Sequence, residues 1–136
     1  MKITINCEPR TKKNSQRLVT VKGRALLLPS KAYQQFEKEC GKYLQFDREI
    51  DTPVNIKCIF YMPTRRHVDL SNLISAVDDV LTRYDVILDD NRDIVAGHDG
   101  SRVYYDKDNP RIEIEITPIE NYEQWRKKDA DIEGDH

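Results

Sequence analysis

Arg65-Arg66-His67-Val68-Asp69-Leu70-Ser71-Asn72 leads into apolar residues at helical spacing, namely Leu70, Leu73, Ile74, Val77, Val80, Leu81 and Tyr84. Asp89-Asp90-Asn91 follows shortly after. The spacing predicts a helix from Leu70 to about Arg83, with Asp69 or Ser71 at its cap. Carboxylates therefore stand at or just beyond both ends of one helix, and a basic patch precedes it. Oxygen ligands beside arginines suit a hard divalent cation held against a phosphate. The stretch points to metal-dependent chemistry on nucleic acid.

The flanking segments supply a sheet. Lys2 to Cys7 alternates polar and apolar residues, as does Val54 to Met62, where Ile56, Cys58, Phe60 and Met62 share one face. Leu18–Val21 and Ala25–Leu28 read as a hairpin turned through Lys22-Gly23-Arg24. Ser30 is a good cap for a helix carrying Tyr33, Phe36, Cys40 and Tyr43-Leu44. Ile94–Ala96, Arg102–Tyr105 and the alternating Arg111–Ile116 complete the strands. The order implies an α+β domain, a mixed β-sheet with helices packed on it. Residues 1–118 form the expected domain. Residues 119–136 form a charged C-terminal tail, in which Ile119, Tyr122 and Trp125 would dock a short helix and Lys127 onward would be disordered.

At 136 residues, with 38% hydrophobic and 34% charged residues, the chain fits one globular domain with a heavily charged surface. It has neither an apolar run of membrane-spanning length nor a signal-peptide pattern. Cys7, Cys40 and Cys58 are odd in number and widely spaced. They argue for inert buried thiols in a reducing cytoplasm and against a disulfide framework or zinc site. The net charge is −2, but it is segregated. No acid occurs from Pro9 to Phe36, where Arg10, Lys12, Lys13, Arg17, Lys22, Arg24 and Lys31 all fall. A positive face toward a phosphate backbone is compatible with that distribution, as is a solvated basic loop.

Each acid also has an ordinary structural reading. Asp69 is a favoured cap, Asp79 and Arg83 form an i,i+4 pair, and Asp89-Asp90-Asn91 is a polar turn. Asn72, Ala76, Asp79 and Arg83 fall along one face beside the apolar stripe. A calcium hand is excluded: Ile94 stands where the loop needs glycine and Gly100 where it needs glutamate. There is no phosphate-cradling glycine motif for a nucleotide cofactor and no GxSxG elbow. His67, His98 and His136 are not spaced as a metal pair.

His67-Val68-Asp69-Leu70-Ser71-Asn72-Leu73, then Ala76 with Asp79-Val80-Leu81, then Val86 with Leu88-Asp89-Asp90-Asn91, resemble the core signature of the RusA family of Holliday-junction resolvases. The basic loop through Arg17 and the Pro29-to-Tyr33 helix start fit as well, so the resemblance covers roughly residues 1–117. It implies a crossover-junction endodeoxyribonuclease acting as a homodimer on four-way DNA with Mg²⁺ or Mn²⁺. Asp69 and Asp90 would match the catalytic metal ligands, and Asn72 would orient the site. Two positions depart from the family pattern, Ser71 for its second aspartate and Ser75 for a lysine. Asp79, Asp89 and Asp99 are the candidate substitutes, with Ser71, His98 and Asp99 supporting the ligands from behind. The Asp-Leu-Ser-Asn and His-Asp-Gly-Ser-Arg segments resemble a phage-type branch.

On this reading Arg65, Arg66 and Arg102 steady phosphates near the cut, while Lys12, Lys13 and Arg17 track the junction arms. The rival readings are a DNA-binding module without cleavage, a nuclease for other branched DNA, and a protein-interaction domain with solvated charges.

Overall fold

The structure, a computed structural model, describes residues 1–12, 16–121 and 123–124. Its seven strands and two helices run in the order β1 (Lys2–Ile5), β2 (Gln16–Val21), β3 (Arg24–Pro29), α1 (Lys31–Gly41), β4 (Val54–Met62), α2 (Leu70–Arg83), β5 (Val95–Gly97), β6 (Arg102–Tyr105) and β7 (Arg111–Pro118). The expected α+β architecture is the one observed. β4 is the hub of a five-stranded mixed sheet: β7 pairs antiparallel on one edge, and β5 and β6 pair parallel on the other. β1 completes the sheet beyond β7. Parallel pairing of β4 with β5 requires a crossover, and α2 is that crossover.

Alternation builds the core. Val54, Ile56, Cys58 and Phe60 of β4 are buried together with Ile112, Ile114 and Ile116 of β7 and Ile3 and Ile5 of β1. They join Tyr33, Phe36 and Cys40 of α1 and Leu73, Ala76, Val77, Val80 and Leu81 of α2 in one cluster. The intervening residues of β4, from Asn55 to Tyr61, stay half-buried on the opposite face. Burial pushes the Cys58 thiol well above its ordinary range, as expected of an inert core cysteine. Cys7 is half-buried rather than buried.

Several boundaries differ from expectation, three of them with a physical cause. β1 stops at Ile5, opposite Ile112, rather than at Cys7; continuing the same register would set Cys7 opposite Pro110, which has no N–H to offer. α1 ends at Gly41 rather than including Tyr43-Leu44; those residues continue as a tighter turn, with Tyr43 N–H donating to Cys40 O and Leu44 N–H to Gly41 O. β2 and β3 form a ribbon separate from the main sheet, joined by Lys22 and Gly23 alone. Both turn residues have positive φ, 52° and 77°, the mirror-image turn that suits hairpin twist. Of the expected tail helix, Tyr122 and Trp125 lie outside the described residues, as does everything from 125 to 136. Ile119 is described, and its N–H donates to Pro53 O. Among the described residues no helix is long and apolar enough to cross a membrane.

Candidate active site

Ser30 caps α1 as expected, its hydroxyl accepting from Tyr33 N–H at 3.1 Å. Asp69 behaves differently. It holds the N-cap position of α2, yet its side chain makes no capping hydrogen bond. Its carboxylate instead accepts from the Asn72 amide at 3.2 Å. The capping role is therefore not what occupies this acid. It stands exposed, with Arg65 and Arg66 just upstream, also exposed.

The loop after α2 is stiffened by its own side chains. Asp89 accepts from Asp90 N–H at 2.7 Å and from the Asn91 amide at 3.2 Å, and Asn91 accepts from Asp93 N–H at 3.0 Å. Asp89 thus serves as a turn former, the ordinary role weighed for it. Partial burial, and then the hydrogen bond and charge of Asp89, hold the Asp90 carboxyl above the ordinary range, with a further contribution from Asp78. The Asp79 carboxyl is raised as well, first by burial. Lys12 works against that shift, whereas Asp90 and Asp78 add to it. The structure therefore brings Asp78, Asp79, Asp89 and Asp90 into one electrostatic neighbourhood and sets Lys12 against it. Asp69 lies at the other end of α2, ten residues before Asp79 and so about 15 Å away along the helix axis.

Two sequence-based expectations on α2 fail. Arg83 pairs not with Asp79 but with Glu37 of α1, at 2.9 Å. Ala76 does not share an open face with Asn72 and Asp79; it is buried against the sheet. Ser75 donates its hydroxyl to Ser71 O at 3.0 Å, so the serine in the place of a lysine is satisfied by its own helix.

The residue that sequence reasoning missed is Asp78. It is only 8% exposed. His98 Nε2 lies 3.0 and 2.9 Å from its two carboxylate oxygens. A signal was present, since Asp78 sits four residues after Ile74 and three before Leu81, within the apolar stripe, and a buried carboxylate needs a partner. His98 is in turn fixed by its loop. Ser101 donates to His98 O at 2.7 Å and accepts from Cys58 N–H at 3.0 Å, while Asn55 brackets Asp99 through the latter's N–H and C=O. Gly100, at φ 87°, lets the chain turn there within 3.1 Å of Lys57 Cδ, measured from where a Cβ would stand. His98 supports α2 from behind, and Asp99 is held through its backbone.

Arg65 lies with its guanidinium 4.2 Å from the Tyr105 ring centroid, and Arg102 donates to Ser101 O at 2.7 Å. Arg17 is placed on β2 by its backbone, and Lys13 lies outside the described residues. Among the described residues, no three or more His, Cys, Asp or Glu side chains are grouped so as to hold a metal ion. The donors nonetheless fit Mg²⁺ or Mn²⁺ chemically. They are hard carboxylate oxygens, and Mg²⁺ needs only one or two of them when phosphates and water complete its shell.

Carboxylates, arginines and lysines are side chains a phosphodiester hydrolase uses, but here Asp69 and the group around Asp79 and Asp90 stand toward opposite ends of α2. A family model described as Endodeoxyribonuclease RusA matches residues 6–117, and the chain belongs to that family. The family consists of endonucleases acting on DNA junctions, so the chain falls among the endodeoxyribonuclease hydrolases. No curated protein matches the sequence.

Proposed function

We propose that this chain is a metal-dependent endonuclease that resolves four-way DNA junctions by paired phosphodiester hydrolysis, working as a homodimer with Mg²⁺ or Mn²⁺. The observation that carries the reading is Asp69. A carboxylate at a helix N-cap that makes no capping hydrogen bond, and among the described residues accepts from the Asn72 amide, is a spare oxygen donor, with Arg65 and Arg66 close before it in sequence. Asp69 and Asp90, standing toward opposite ends of α2, would each offer a carboxylate to a cation rather than share one. Bound there, the cation supplies a water of lowered pKa and offsets charge developing on the phosphate.

The chain's own groups do the rest. Asn72 orients the Asp69 carboxylate, and Asp89 fixes the turn that presents Asp90. Arg65, Arg66 and Arg102 hold phosphates, and Lys12, Lys13 and Arg17 extend the positive track. Two copies related by a two-fold axis match the two-fold symmetry of a four-way junction, so opposed strands are nicked together.

Among the described residues no three-ligand group is ready-made, and Ser71 stands in place of a carboxylate, which favours a second reading: a junction binder that does not cut. A plasmid carrying an extruded cruciform separates the two. Paired nicking converts it to linear DNA with Mg²⁺ and not with EDTA. Relaxed circles alone would refute paired cleavage, and an unchanged plasmid under both metals would leave the binder.

A further inference from the structure

We propose that the surface groove at the end of β6 receives unstacked nucleobases of branched DNA on Tyr104 and Tyr105, with the adjoining phosphates on Arg65 and Arg66. The inference rests on the branched-DNA reading above and names which part of that DNA the protein grips. The groove is lined by Met62, Thr64, Arg65, Arg66, Val103 and the two tyrosines, without a single acid. Tyr104 is 52% exposed and Tyr105 42%, in a protein that buries Tyr33 almost completely.

Their placement is specific. β6 pairs with β4 along one side only, Tyr104 opposite Tyr61 and Tyr105 opposite Met62, so the tyrosines stand on an edge strand and straddle the sheet's two faces. On the open face the Tyr104 and Tyr61 rings lie 5.8 Å apart, and the Arg111 guanidinium covers Tyr61 at 3.7 Å. That row backs one side of Tyr104 and leaves its outer part to solvent. Toward α2, Arg65 packs at 4.2 Å from the Tyr105 ring. Arg102, two residues before Tyr104 on the same side of β6, adds a cation.

Aromatic rings interleaved with arginines suit a polynucleotide, whose bases stack without sequence preference while its phosphates pair with the cations. A fully paired duplex offers no free base face, but the branch point of a junction is where stacking is broken. The groove lies just upstream of Asp69, so bases held there would set the neighbouring phosphate against that carboxylate. Charge complementarity favours this occupant over a second copy of the chain, which would bring the same arginines face to face.

The test is binding to a four-way junction and to linear duplex in EDTA, where no cleavage intervenes, for the wild type, Tyr104→Ala, Tyr105→Ala and the corresponding phenylalanine variants. Loss of one stacked base is expected to weaken junction binding about 10-fold. Duplex binding should change less than twofold, and phenylalanine should restore junction affinity, because the ring rather than the hydroxyl is the contact. Both side chains are substantially exposed, and thermal unfolding reports whether each variant folds; Tyr104→Ala decides if Tyr105→Ala does not. Junction affinity unchanged in the alanine variants would overturn the proposal, as would an equal loss on duplex or phenylalanine variants as weak as alanine. A wild-type chain with no preference for junctions would instead sink the branched-DNA reading on which the proposal stands.

Discussion

His98→Ala removes the partner of a buried carboxylate and leaves the backbone of its loop in place. Asp78 keeps only 12% of its side-chain surface in water, whereas His98 keeps 27%, so solvent enters from the histidine side once the ring is gone. A fully buried pair loses about 3–5 kcal/mol when one member is removed, and a hydrogen bond to a charged group in general about 1.5–3 kcal/mol. With water able to reach the site, the lower range applies, and about 2 kcal/mol is expected. For a chain of this size that lowers Tm by about 8 °C. Asp78→Asn still offers an amide oxygen to Nε2–H and should cost about 1 kcal/mol or less. The informative variant is the double one. With the charge gone, the missing histidine matters less, so His98→Ala/Asp78→Asn should be more stable than His98→Ala by about 1 kcal/mol. Urea unfolding at neutral pH, followed by circular dichroism, measures all three. A His98→Ala cost below about 0.5 kcal/mol, or single costs that simply add, would refute the claim that His98 holds Asp78.

Gly41→Ala should destabilise by about 1–3 kcal/mol, read from the same unfolding curves. A Cβ there would come within 2.7 Å of the Tyr84 ring, which cannot swing away because its hydroxyl donates to Glu37 O at 2.8 Å. Tyr33→Phe should do the reverse and gain about 1 kcal/mol, since the buried Tyr33 hydroxyl has no hydrogen-bond partner among the described residues. Asp90→Asn should abolish cleavage yet raise Tm at neutral pH. Partial burial, followed by the influence of Asp89, raises the carboxyl pKa in the folded chain. The native state is thus favoured while the group is protonated, and that contribution fades as pH rises through the raised value. The Tm gain of the variant must therefore shrink as pH falls below the ordinary carboxylate range; a gain that persists there would contradict this account of Asp90.

The sheet and α2 were legible because their signals are local. Val54–Met62 and Arg111–Ile116 alternate with period two, and Leu70 to Tyr84 repeats with a helical period, so burial of one face follows from the order of residues. The two-residue turn at Lys22-Gly23 was nearly legible, expected one residue longer, whereas Arg24 pairs with Val21 as the first residue of β3. What could not be read is tertiary. Asp78 and His98 are twenty residues apart, and only the fold of β4, α2 and the 98–101 loop brings them together. Arg83 had a local candidate in Asp79 and chose Glu37 on the other helix. The approach of Lys12 to Asp79 and the freedom of Asp69 from its cap likewise depend on how segments dock, not on spacing. The resemblance implied Asp69 and Asp90 as metal ligands. The structure adds that Asp89 hydrogen-bonds within its own turn and that the buried Asp78 bonds His98.

The most direct test of the central claim is strand cleavage of a labelled four-way junction beside a linear duplex of the same sequence, with Mg²⁺, Mn²⁺ or EDTA, for the wild type and Asp90→Asn. The account predicts symmetric nicks in the junction alone, present with either metal, absent in EDTA and lost in Asp90→Asn. Tight junction binding with no nicks under either metal, or cleavage that survives Asp90→Asn, would contradict it.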